Sequence, residues 1–158
     1  MHSRIFQISK ERNAEPINDF RYEDYFIPSI ADYVVKVNDT ERIKNDYKWL
    51  TDVCKGIKVE TKDGVTTLTI VSKKEYFEKS FNEFQELIKK VSTYNLDDFI
   101  SAKNWLDFYN LRNYYDEKYG FYIDDNDEYF GIATFDEFMR NVNEGDVYYL
   151  STVFDYHS

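Results

Sequence analysis

The chain has 158 residues, with 30 acidic against 20 basic side chains and a formal net charge of −10 at neutral pH. Such a length suits one domain able to bury a sizeable core without disulfide or metal staples. The sign of the charge argues against nucleic-acid binding, because affinity for a phosphate backbone is supplied by Lys and Arg, and no apolar run approaches the roughly 20 residues of a membrane span.

In chain order, residues 4–8 are β-prone, with Phe6 and Ile8 on one face. Residues 9–38 read as irregular, with Ser29 and Asp32 placed to open a short helix through Tyr33 and Val34. Residues 40–54 carry Ile43, Tyr47, Leu50 and Cys54 at helical spacing, and Gly56 follows as a stop signal. Residues 57–61 and 66–70 alternate polar and apolar about Lys62-Asp63-Gly64, which predicts a hairpin with positive φ at the turn.

Ser72 and Glu75 form a capping box, behind which Phe77, Phe81, Phe84, Ile88 and Val91 step by four and three. The spacing predicts a helix over 73–91 packed on the sheet through those side chains. Asn95 caps a second long helix, 96–118, with a kink near Asn104; Asp97 and Asp98 suit its N-terminal dipole. Residues 121–124 and 129–133 flank an acidic turn and predict a second hairpin. Thr134 and Glu137 then open a short helix to about Val142. Residues 147–156 form a last strand, with Tyr148, Leu150, Thr152, Phe154 and Tyr156 expected on one face. The resulting expectation is a single α+β domain over 1–158: a mainly antiparallel sheet of five or six strands, with three or four helices packed on one side.

Motifs of catalysis are missing. Cys54 would need a base, and the only histidines, His2 and His157, lie at the two termini; a structural thiol is the expectation. Glu60-Thr61-Lys62 has the spacing of the second half of a PD-(D/E)xK nuclease motif, but the return strand 65–72 lacks the required Asp. The run from Asp124 to Glu128 opens like a calcium loop and then fails it: Tyr129 stands where Gly is needed and Phe135 where the bidentate Glu is needed. Phosphate-binding glycine motifs, zinc signatures and nucleophile elbows do not occur. The chain is therefore expected to be non-enzymatic and to take no cofactor or metal. The single cysteine, with an N-terminus too charged for a signal peptide, points to a reducing, cytoplasmic compartment.

The charge is not evenly spread. Residues 1–94 hold 16 basic and 16 acidic side chains, whereas 95–158 hold 4 and 14, so the whole excess lies in the second part. No linker separates the two. The acids cluster at Asp97/Asp98, Asp116/Glu117, Asp124/Asp125, Asp127/Glu128 and Glu144/Asp146, interleaved with Tyr114, Tyr115, Tyr119, Tyr122, Tyr129, Tyr148 and Tyr149. Carboxylates favour the surface, and tyrosine is common at interfaces. Asp116 and Glu117 also oppose the dipole at the end of their helix, which hints at a use other than helix stability.

In composition, residues 95–158 resemble the small acidic inhibitors of phages and mobile elements: DNA mimics, antirestriction and anti-CRISPR proteins. The resemblance implies a partner with a basic surface, such as a nuclease or a nuclease–guide complex. Asp116, Glu117, Tyr119, Asp124, Asp125, Asp127, Glu128, Glu144 and Asp146 would be the contact residues, with neither direct nucleic-acid binding nor membrane attachment. A generic protein-interaction module, or a small enzyme without recognisable motifs, are the alternatives.

Overall fold

The computed structural model describes residues 2–12, 29–117, 120–125 and 132–158. Strand β1 (His2–Ser9) is followed by β2 (Tyr33–Lys36), helix α1 (Thr40–Val53) and the hairpin β3 (Ile57–Lys62) and β4 (Val65–Ile70). Helix α2 (Lys73–Val91), α3 (Leu96–Ile100), a 3-10 turn (Ala102–Asn104) and α4 (Trp105–Tyr115) come next. Strands β5 (Tyr122–Asp125) and β6 (Ile132–Thr134), α5 (Phe135–Asn141) and β7 (Val147–His157) complete the chain.

The fold is α+β. Among the described residues seven strands form one sheet in the order β3-β4-β7-β1-β5-β6, with β2 also paired to β7. All pairings are antiparallel except β1 with β5, where Phe6 lies opposite Ile123. Strand β2 is the addition to the expected count. Tyr33 and Val34 belong to it, lying opposite His157 and Tyr156, and not to a helix as their sequence suggested. Pairing with β7 overrides the local helix signal.

The main core lies between the sheet and α1, α5 and the start of α2. It is built from Phe6, Ile8, Leu50, Leu68, Ile70, Ile123, Met139 and Val153, among others. A smaller cluster of Ile5, Ala31, Tyr122, Phe154 and Tyr156 fills the opposite face. The register of β7 against β1 shifts between Gln7 and Ile8, and the extra residue splits the expected single face of β7. Tyr148 and Leu150 join Val153 in the main core, while Phe154 and Tyr156 face the other way.

Local signals are realised closely. Asp63 and Gly64 take φ of 51° and 77° at the β3–β4 turn. Ser72 accepts from the Glu75 amide at the start of α2, and Asn95 and Asp98 form a full capping box on α3. The long helix expected over 96–118 is broken at Ser101 and the 3-10 turn. Gly56, with φ of 73°, brings the end of α1 against α2: its carbonyl accepts from the amides of Val71 and Ser72 at 2.8 and 2.9 Å.

The packing of α2 departs from the sequence reading. None of its residues is fully buried. Tyr76 and Phe77 reach the main core, but Phe81 and Ile88 are exposed. Beyond its first two turns α2 leaves the sheet and pairs with α4 instead, so the core-facing stripe extends only as far as the sheet does.

Candidate functional site

Helix α4 reads WLDFYNLRNYY, with aromatic or aliphatic residues on every side. A helix apolar on every side is ordinarily buried all round, but α4 is packed on one face and exposes Trp105, Leu106 and Tyr109 on another. The packed face meets α2. Lys90 Nζ lies 2.9 Å from Asp107, whose carboxyl also accepts from the Tyr94 hydroxyl; these two partners hold Asp107 below the ordinary carboxylate range, Tyr94 first. Phe108 packs edge-on against Tyr94 and Phe99 at ring distances of 6.3 and 5.7 Å.

The bare face is broad. Leu96, Phe99, Ile100 and Trp105 are 74%, 69%, 70% and 62% exposed, and Leu106 and Tyr109 continue the strip along α4. Asp97 and Asp98 stand in the first turn of α3, off the Leu96–Phe99–Ile100 face by helical spacing, and Asp98 completes the cap with Asn95. At the far end of α4, the Arg140 guanidinium lies 4.2 Å over the Tyr115 ring.

Behind α4 lies a cleft of about 600 Å³, walled by α1, α2 and the end of α4. Asp136 forms part of its inner end and is nearly buried. One carboxylate oxygen accepts from the Tyr76 hydroxyl at 2.8 Å and the other from the Glu117 amide at 2.7 Å. Burial, and then the nearby Asp136, push the Glu117 carboxyl upward, partly offset by Lys79. The Tyr76 hydroxyl is raised by burial and Asp136. Burial, with Asp136 and Glu117 adding to it, pushes the Cys54 thiol up to about 12. Cys54 is therefore protonated at neutral pH and is no thiolate nucleophile.

The acids proposed from sequence fall into different roles. Asp116 accepts a hydrogen bond from the Thr134 hydroxyl, and together with the Glu117–Asp136 bond this ties the end of α4 to the start of α5. The unfavourable position of Asp116 on its helix thus has a structural use. Asp124 is not a surface residue. Strand alternation places it with Tyr122 on the face of the smaller cluster, where it is fully buried and accepts from Gln7 Nε2 at 3.0 Å. Tyr122 and Tyr148 are likewise core and not interface. Asp125 is half-buried at the end of β5. Glu144 accepts from the Lys73 amide at 2.8 Å, at the start of α2, and Asp146 from the Asn143 amide at 3.0 Å.

Because β5 runs parallel to β1 and β7 antiparallel to it, Asp125 and the Glu144–Asp146 turn share one end of the sheet, and Asp116 and Glu117 lie before the other. Tyr119, Asp127, Glu128 and Tyr129 lie outside the described residues. Among the described residues, then, the acids do not merge into one patch. The strip on α3 and α4 had no signal in the charge pattern. It could have been found from the all-round apolar composition of 105–115.

A scan against protein-family models, a search of curated proteins and a search of solved structures each returned no match. Among the described residues, no helix is long and apolar enough to cross a membrane, and no group of three or more His, Cys, Asp or Glu could hold a metal ion.

Proposed function

We propose that this chain is a protein-binding module that docks a basic partner through the bare face of α3 and α4. The observation that carries the reading is the cluster of Leu96, Phe99, Ile100 and Trp105, all more than three-fifths exposed within ten residues. Contiguous apolar surface of this kind marks an interaction site, and covering it gains roughly 25 cal/mol for each Å² removed from water. Exposed aromatic side chains such as Phe99 and Trp105 are the kind of residue that anchors binding interfaces.

Charge favours a basic partner. The face lies within the part of the chain that carries the entire net charge of −10, and such a field speeds the approach of a positive surface. A nucleic-acid-handling enzyme, whose groove is lined with Lys and Arg, is a partner class that supplies the basic surface, with apolar side chains at the groove's edge meeting the strip. The chain would act on it as an inhibitor by occupying that groove.

The test is binding of the purified chain to a panel of restriction and guide-loaded nucleases, with basic proteins that bind no nucleic acid as controls. The expected result is a Kd below about 1 μM for a nuclease, with inhibition of cleavage. Phe99→Asp and Trp105→Asp should each weaken binding about 30- to 100-fold, as loss of an interface anchor does, while leaving the circular dichroism spectrum unchanged. Equal inhibition by both variants would remove the face from the mechanism. A dimer of the chain alone that Trp105→Asp dissolves would show the strip to be a self-interface and overturn the reading.

A further inference from the structure

We propose that His2 and His157 together hold one divalent transition-metal ion such as Zn2+ through their Nε2 atoms, where β1 begins and β7 ends. This goes beyond docking on the α3–α4 face and does not depend on it. The two histidines are direct cross-strand partners in the β1–β7 register, and side chains so placed stand on one face of a sheet about 4.5–5.5 Å apart at Cβ. Their ring centres lie 5.1 Å apart. Two imidazoles bound at about 2.0–2.1 Å to one tetrahedral ion place their ring centres about 5 Å apart, so the pair already stands at chelating separation.

The neighbours of the pair set its proton chemistry. His2 Nδ1 lies 3.3 Å from Asp155 Oδ1, and His157 Nδ1 lies 2.9 Å from Asp32 Oδ2. An ionised carboxylate only accepts, so each Nδ1 is the donor and each neutral ring presents its lone pair at Nε2. Neither Nε2 has a hydrogen-bond partner among the described residues. A carboxylate on the far nitrogen is the usual companion of a metal-bound imidazole: it orients the ring and raises its basicity. Arg42 on α1, 2.7 Å from the other oxygen of Asp155, holds that carboxylate in place. The Tyr33 ring of β2 stacks on His157 at 5.7 Å and 8°. With the rings neutral, Asp32 and Asp155 outweigh Arg42 by one negative charge, which favours a cation. Imidazole nitrogen selects zinc, copper or nickel over the hard ions calcium and magnesium, which take oxygen. Among the described residues no third His, Cys, Asp or Glu joins the pair in a larger metal-binding group, which leaves the ion's remaining positions to water.

Calorimetric titration of the untagged full chain with zinc chloride at pH 7 and low salt tests the pair, with magnesium chloride as the hard-ion control. The expected result is one Zn2+ per chain with a Kd below about 100 μM, no heat from magnesium, and affinity that falls steeply toward pH 5 as protons compete for the ring nitrogens. These are the only two histidines of the chain, so NMR follows each ring separately, and one equivalent of Zn2+ should move both sets of ring resonances together. His2→Asn and His157→Asn should each weaken binding about 30-fold or more, because either change breaks the chelate, and Asp32→Asn about tenfold. Half the sites kept at the parent's affinity in either histidine variant would show two independent surface imidazoles. Undiminished binding in both variants would place the ion on the acidic side chains. Either result, movement of one set of resonances alone, or no binding at about 1 mM zinc chloride would overturn the proposal, and none of these bears on the α3–α4 face.

Discussion

Replacing Gly56 with alanine tests how α2 is joined to the rest of the protein. Gly56 has φ of 73°, and a Cβ there would lie 2.0 Å from the Ser72 carbonyl oxygen and 3.0 Å from the Tyr76 amide nitrogen. Both are backbone atoms, and Ser72 O already accepts from Tyr76 N at 3.2 Å in the first turn of α2. The clash is relieved only by moving the start of the helix. The left-handed conformation costs a non-glycine residue about 1–2 kcal/mol. Disrupting the two hydrogen bonds from Val71 and Ser72 to the Gly56 carbonyl adds about 0.5–1.5 kcal/mol each. The expected destabilisation is about 2–5 kcal/mol, a large share of the roughly 5–15 kcal/mol of an ordinary domain. Gly64 provides the control: its φ is 77° but nothing lies within 4 Å of an added Cβ, so Gly64→Ala carries the conformational term alone, about 1–2 kcal/mol. Urea unfolding followed by tryptophan fluorescence measures both. If Gly56→Ala is no more destabilising than Gly64→Ala, the contact between Gly56 and Ser72 does not hold α2 in place.

Four further outcomes are expected. Because the folded Glu117 carboxyl is raised, its stabilising share is present in acid and lost as pH rises through its folded pKa; Glu117→Gln should therefore raise the unfolding midpoint at pH 7 and give no gain at pH 3. With its thiol pushed to about 12 from 9.0, Cys54 should be alkylated at pH 7 about a thousandfold more slowly in the native than in the denatured chain, since only the thiolate reacts; equal rates would show the thiol to be open. Leu50→Ala, in the main core, should lower stability by about 2–5 kcal/mol, whereas Phe81→Ala on the exposed part of α2 should change it by about 0.5 kcal/mol or less, both read from urea midpoints. Duplex DNA at physiological salt should give no mobility shift with micromolar protein, given the net charge of −10.

Much of the secondary structure was legible because its signals are local. The Asp63-Gly64 turn, the caps at Ser72, Asn95 and Thr134, and the alternation of β3 and β4 each depend on residues within a few positions of one another. What could not be read depends on distant partners. Tyr33 and Val34 become a strand because β7 offers an edge. The stripe on α2 looks like core throughout, but only its first two turns lie against the sheet. The β7 bulge divides one apolar face into two. Asp124 counted as surface charge until Gln7, far away in the chain, was placed beside it. The cleft has the same character: Tyr76, Glu117 and Asp136 sit on three separate segments, and no spacing announces their meeting.

The position of β7 has a consequence for how the protein is made. Three strands, drawn from residues 2–9, 33–36 and 65–70, pair with this one strand, and none of these pairings can form until residues 147–157 exist. During synthesis the ribosome therefore holds a chain whose first strand has no antiparallel neighbour and whose aromatic side chains are uncovered. Pairings this distant in sequence make for slow folding, and exposed apolar surface in waiting chains favours aggregation. Closure of the sheet is thus a late event, completed only as the last strand emerges, and nascent chains stalled before residue 147 should depend on chaperones to stay in solution.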